Sequence, residues 1–199
     1  MKDEKLASNY ELEYWRDHKG EEYKRAKVML NMFSDLKKHK IVADVGCGPL
    51  SGIFHDVSFT RMFAIDPLWD KYKNDNLIVL PNGVEKIKST GQNFILEEKA
   101  DLIVSFNALD HSGNLKKSID NIMNNLSEEG RFCFHLHMRT KEQLNEGHQM
   151  LITERIVDDI LKSYKVISKT IGPDPFAKND SYLEAKKYLS YVAEVRHAT

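Results

Sequence analysis

Five short apolar runs, each closed by glycine or polar residues, constrain this chain most: IVADVG (41–46), RMFAID (61–66), NLIVL (76–80), DLIVSF (101–106) and RFCFHLHM (131–138). Consecutive apolar residues over so short a span suit strands buried on both faces, as in a parallel sheet. Helical periods lie between and around them. In EEYKRAKVMLNMFSDLKK (21–38), Tyr23, Ala26, Leu30 and Phe33 recur at three- and four-residue intervals. In NLKKSIDNIMNNL (114–126), Leu115, Ile119, Ile122 and Leu126 make the stripe, Asn114 is placed as N-cap, and Gly130 is placed to end the following turn. This alternation predicts an α/β fold: a doubly wound, mostly parallel sheet of about seven strands, with helices on both faces joined by right-handed crossovers.

Beyond residue 138 the pattern changes. A polar loop, RTKEQLNEGHQ (139–149), precedes a helix around TERIVDDILKSY (153–164), a strand SYKVISKTI (163–171) and an alternating strand YLSYVAEVR (188–196). The chain therefore ends in a hairpin, with its last strand antiparallel. The connection GPDPFAKNDSYLEAKK (172–187) is broken by Gly172, Pro173 and Pro175 and reads as a loop or lid over a site. A length of 199 residues fits one domain, 1–199.

Charge and cysteine content narrow the function. With a net charge of −1 and interleaved signs, no basic face announces a nucleic acid or an anionic membrane. The N-terminus is polar and no apolar run reaches membrane-spanning length, so the expected place is the cytoplasm, without membrane insertion. Cys47 and Cys133 lie far apart with no C-x-x-C spacing, which argues against a disulfide framework or zinc knuckle.

In open α/β sheets ligands bind beyond the carboxyl ends of the strands, and residues 46–52 form the first strand-to-helix loop there. Gly46 and Gly48 allow close backbone approach, and the helix start offers free N–H groups. Asp44 ends an otherwise apolar strand, where burial of a carboxylate is costly without a partner. It suits a ligand with a positive ammonium nearby, directly or through water. Asp66, followed by Pro67 and about twenty residues beyond the loop, is placed to accept hydrogen bonds from ribose hydroxyls. The fourth run ends in the polar cluster Asn107, Asp110 and His111, the expected substrate-facing wall.

DVGCGP, AIDP, GVE, ADLIVSFNALDH and LSEEGRFCFHLH together resemble successive motifs of class I S-adenosylmethionine-dependent methyltransferases, particularly the small-molecule type called methyltransferase type 11. The resemblance spans about residues 40–140. It implies a Rossmann-like fold with a cofactor-binding core at 40–140, an N-terminal helical lid and first helix at 1–38, and a C-terminal loop, helix and hairpin at 141–199. It implies S-adenosyl-L-methionine as cofactor and S-adenosyl-L-homocysteine as product. By the resemblance Asp44, Gly46 and Gly48 line the methionine end, Asp66 with Pro67 holds the ribose, Val84 and Glu85 flank the adenine, and Asn107 lies beside the methionine portion. NYELEYW resembles the family's lid, with Tyr10, Tyr14 or Trp15 able to cover a sulfonium with an aromatic face. Two departures stand out. Leu50 occupies the third glycine position, and EKIKSTGQNFILEEKADL (85–102) is longer and more polar than the usual link to the fourth strand.

Methyl transfer is an in-line displacement, and alignment of the reactants can supply roughly 7–11 kcal/mol. An oxygen or nitrogen acceptor that must lose a proton benefits from a base near neutrality, so histidine is the first choice. His111 is the leading candidate as base or substrate contact, with Asp110 orienting it or acting in its place, and His137 next because it lies nearer the strand's end than His135. Arg139 and His148 bracket a polar loop that can face the acceptor. Asp110, His111, His135 and His137 lack tight metal-ligand spacing, so no metal is expected. The expected partner is a small polar acceptor rather than nucleic acid; oligomeric state is not legible. Two alternatives stay open: a NAD-dependent Rossmann oxidoreductase, whose G-x-G-x-x-G meets Ser51 at its sixth position, and a non-catalytic S-adenosylmethionine-binding module.

Overall fold

Apolar residues on both sides of the central strands dictate a sheet with two cores. The computed structural model describes residues 2–17, 39–51, 53, 57–145, 148, 150–173 and 187–195. Its strands are β1 (Ile41–Val45), β2 (Arg61–Ile65), β3 (Val84–Ile87), β4 (Ala100–Phe106), β5 (Leu126–His137), β6 (Lys165–Pro173) and β7 (Lys187–Glu194). They form one sheet in the order β3-β2-β1-β4-β5-β7-β6. Strands β1 to β5 are mutually parallel, whereas β7 lies antiparallel between β5 and β6. Val42, Met62, Leu102, Val104 and Cys133 pack on one face and Ala43, Val45, Phe63, Ile65, Ile103 and Phe132 on the other, so neighbouring residues of one strand serve different cores.

The described helices are α1 (Lys2–Asp17), α2 (Trp69–Asn74), α3 (Leu115–Asn124) and α4 (Glu154–Leu161). Asn114 caps α3 as its position predicts, its side chain accepting from the Lys117 N–H at 2.9 Å, and Leu115, Ile119 and Ile122 bury the stripe. Thr153 caps α4 by accepting from Ile156 N–H at 3.3 Å. The helical period at 21–38, the connection at 174–186 and Gly52 lie outside the described residues.

Two expectations are corrected, and the long link takes a form of its own. NLIVL (76–80) is not a strand; Leu77 instead packs with Trp69, Tyr72 and Cys47, and VEKI (84–87) pairs with β2 at the sheet edge. Gly130 does not end a turn but lies within β5, where the register jumps from Ala100↔Leu126 to Leu102↔Arg131. The long link before β4 has no helix over residues 88–99. Polar side chains of α3 and its cap hold it instead: Asn121 donates to the Gly91 and Phe94 carbonyls, and Asn125 Oδ1 accepts from Leu96 N–H. Phe94 and Leu96 drop into the core. The polarity of that segment thus reflects a loop tied down by asparagines.

Candidate functional site

The parallel register brings the ends of β1, β2 and β4 to one edge of the sheet, and a cleft opens there. Val45, Gly46 and Gly48 line it from the first loop, Asp66, Pro67, Leu68 and Tyr72 from the second, and Asn107 to Leu109, His111 and Ser112 from the fourth.

The first loop is built tightly. Gly46 has φ +70° and donates to Ile65 O at 2.8 Å; a Cβ there would meet the Ala108 methyl at 2.2 Å. Gly48 has φ +61°, and its missing Cβ would meet the Trp15 ring at 2.2 Å. Leu50, at the third glycine position, is buried, and the left-handed turn passes to Ser51 at φ 39°. Ser51 in turn donates its hydroxyl to Asp44 Oδ2 at 2.7 Å.

Asp66 lines the cleft while bracing the loop. Its Oδ2 accepts from Gly48 N–H at 3.0 Å and its Oδ1 from Leu68 N–H at 2.8 Å. Burial pushes its pKa up to about 7, against the pull of those two N–H groups and the Tyr72 hydroxyl. Asp44 is also pushed up to about 7, by burial first, with Ser51 opposing and Asp66 adding. It is 5% exposed and sits behind the loop rather than among the lining residues.

Val84 and Glu85, expected beside the adenine, fall outside the cleft lining. On edge strand β3, Val84 turns into the apolar clusters, and Glu85 is taken by the Arg61 guanidinium, whose Nη2 lies 3.0 Å from Oε2. The loop after β3 contributes Thr90 and Gly91 to the cleft instead. His137 also lies outside the lining, with its ring edge-on to His135 at 5.4 Å. His135 is a core residue with a local task. Stacked on Tyr188 at 4.9 Å, it holds the Asn107 side chain through Nδ1 at 2.6 Å from Oδ1. Its carbonyl accepts the Asn107 N–H at 3.0 Å, fixing Asn107 at φ 53° on the cleft wall.

The Leu109–His111 turn of 3₁₀ helix sends neighbouring side chains to different tasks. His111 lines the cleft, its Nε2 3.2 Å from Glu11 Oε1 and 3.8 Å from Asp110 Oδ1. Asp110 points into the protein, where Oδ2 meets Arg139 Nη2 at 3.4 Å and His148 Nδ1 at 3.3 Å. Burial alone would raise the Asp110 carboxyl, but His111, His148 and Arg139 hold it well below the usual carboxylate range. His148 is pushed down, chiefly by burial, and its ring lies 4.5 Å from that of His111 and edge-on to Tyr10 at 5.7 Å.

Helix α1 closes one side of the cleft with Glu11 and Trp15. Trp15 is one of the three aromatic residues expected there; Glu11 is not. Its four-residue spacing from Trp15, which places both on one helix face, was the available signal.

No protein-family model matches the sequence, and no curated protein matches it. Solved structures do match the fold. The N-methyltransferase NodS from Bradyrhizobium japonicum WM9 superposes with a TM-score of 0.62 at 14% identity, covering 88% of this chain and 97% of that one. A putative S-adenosylmethionine-dependent methyltransferase from Listeria monocytogenes gives 0.60 at 15% identity, over 86% and 97%. The [4+2]-cyclase SpnF gives 0.64 at 11% identity, over 88% and 81%. The chain therefore has the class I methyltransferase fold, whose sheet carries the antiparallel β7 between β5 and β6. Among the described residues, no helix is long and apolar enough to cross a membrane.

Proposed function

We propose that the protein is a cytoplasmic S-adenosylmethionine-dependent methyltransferase acting on an oxygen or nitrogen of a small polar acceptor. The observation that carries this reading is a cleft in which a glycine-lined loop and one buried carboxylate, Asp66, meet at the carboxyl edge of this sheet. Gly46 and Gly48 let the loop backbone close against Ala108 and Trp15 at the cleft wall, where a side chain would collide. Asp66 accepts one loop N–H on each oxygen, with the Tyr72 hydroxyl beside it, and keeps acceptor capacity for a ribose hydroxyl. Asn107 and the Val45–Gly48 backbone would hold the amino-acid end, with Asp44 acting from behind the loop, and Trp15 would cover it. Leu68, Thr90 and Gly91 replace Val84 and Glu85 as the candidate base-side wall.

S-adenosylmethionine, when bound, supplies a methyl group on a sulfonium, ready for in-line displacement. The chain's share is to align the acceptor, exclude water and help remove a proton. His111 is the acceptor-side contact, and Asp110 is the positioning residue behind it. SpnF, a cyclase of the same fold, shows that fold does not dictate reaction.

The test is release of S-adenosylhomocysteine from S-adenosylmethionine across a panel of small hydroxyl and amine acceptors. Replacement His111→Ala should reduce turnover by roughly 100-fold or more while S-adenosylhomocysteine affinity stays within about twofold. Binding without turnover for any acceptor would support the non-catalytic module instead.

A further inference from the structure

Among the described residues, Asp110, His111 and His148 bring one donor atom each within 4.8 Å of one another. We propose that these three side chains bind one divalent transition-metal cation, with an open coordination position facing the cleft. The sequence offers no such spacing, because Asp110 and His111 come from the turn after β4 and His148 arrives from the distant polar loop. His135 and His137, the other histidines near in sequence, are not part of this group.

The spacings suit ligands of a common ion better than partners of one another. His148 Nδ1 and Asp110 Oδ2 are 3.3 Å apart, and His111 Nε2 and Asp110 Oδ1 are 3.8 Å apart. Charge-assisted hydrogen bonds close to about 2.7–2.9 Å. Three donors held about 2.1 Å from one cation at tetrahedral or octahedral angles lie about 3.0–3.4 Å apart, and the three here already lie within 4.8 Å of one another.

A second observation points the same way. Asp110 Oδ1 is sealed from solvent and completes no hydrogen bond, and His148 Nδ1, equally sealed, reaches only Asp110 Oδ2, at 3.3 Å. Asp110 is 2% exposed, so that oxygen cannot turn to water for its partner. Arg139, at 3.4 Å from Oδ2, acts as the outer-shell partner of the carboxylate and leaves Oδ1 towards His111.

Two imidazoles and one carboxylate select zinc, iron, cobalt or manganese over calcium or magnesium. His111 lines the cleft, so the open position faces the acceptor, where a cation polarises a hydroxyl and lowers its pKa. Only this use rests on the methyl-transfer reading; the site itself does not.

The experiment is calorimetric and spectroscopic titration of the full, chelator-treated chain with Co²⁺ alone, beside a separate titration with S-adenosylhomocysteine. One Co²⁺ per chain should bind, with the visible absorption of a low-symmetry nitrogen and oxygen site. His148→Ala and Asp110→Asn should each weaken it by more than about 100-fold, beyond the roughly 10–100-fold cost of losing an outer-shell partner. His39→Ala, at the opposite end of β1, should leave it unchanged. In the unaltered chain, Co²⁺ should protect His111 and His148, but not His39, from diethylpyrocarbonate, as mapped by mass spectrometry. That measurement stands if a variant fails to fold. Absence of tight Co²⁺ binding, or binding indifferent to His148 and Asp110, would overturn the proposal and leave a plain ion-pair network. Co²⁺ binding without S-adenosylhomocysteine binding would sink the methyltransferase reading and spare the cation site.

Discussion

Two buried carboxylates at the same edge of the sheet are treated in opposite ways. Asp66 is 5% exposed and has backbone N–H groups and a tyrosine for company, and burial pushes it up to about 7. Asp110 is 2% exposed and surrounded by His111, His148 and Arg139, and it is held below the ordinary range. The first lacks a counter-charge and gains from hydroxyl or cationic groups that a ligand brings. The second has cationic neighbours from its own chain. One end of the cleft is therefore a receiving surface, and the other is a preassembled polar cluster.

The largest effect should come from breaking the polar cluster. Asp110→Ala leaves Arg139 buried without its anion, and urea unfolding should show a loss of about 3–5 kcal/mol. Gly46→Ala should cost about 2–4 kcal/mol, through a left-handed φ and a methyl 2.2 Å from that of Ala108. An unchanged midpoint in either variant would break the corresponding half of the comparison.

The pH dependence separates the two carboxylates by sign. Asp66 and Asp44, raised in the folded state, bind protons that the unfolded chain has already released. Stability should therefore fall as pH rises from about 4 to about 7, by up to about 1.4 kcal/mol per pH unit for each group. Asp110, depressed in the folded state, contributes stability above about pH 4, and that contribution is lost as the pH falls further. Asp66→Asn should flatten the limb near neutrality and Asp110→Asn the acid limb, as followed by unfolding at a series of pH values.

Smaller effects concern the ligand. Asp66→Asn should weaken S-adenosylhomocysteine binding by about 1–3 kcal/mol, since its ribose bonds lose a charged acceptor. Glu85→Ala should leave that affinity unaltered, because Glu85 is engaged by Arg61 outside the cleft. A clear loss would restore Glu85 to the site.

Much of this was written locally. The strands β1, β2 and β4 follow from apolar runs closed by glycine or polar residues, and Asn114 from its place before an apolar stripe. NLIVL failed as a strand because apolarity states that a segment is buried, not which partner buries it. Gly46, Gly48, Asp66, Pro67, Asn107 and His111 all reach the cleft, since each follows directly from a strand end or its loop. The role of Ser51, the wall at Thr90 and Gly91, and the grouping of His148 with Asp110 depend on contacts between distant segments, which no local pattern encodes. His137 stands at the expected end of its strand, outside the cleft lining, with its ring edge-on to His135.

The central claim is that the Asp66 end of the cleft receives the ribose of S-adenosylmethionine and of its product. Calorimetric titration of the full chain with S-adenosylhomocysteine and, separately, NAD from about pH 5.5 to 8 tests it most directly. The account predicts one S-adenosylhomocysteine per chain, no NAD, and an affinity that rises with pH as Asp66 ionises, by up to about tenfold per unit below its pKa. Binding of NAD without S-adenosylhomocysteine, or an S-adenosylhomocysteine affinity that falls with rising pH, would contradict it.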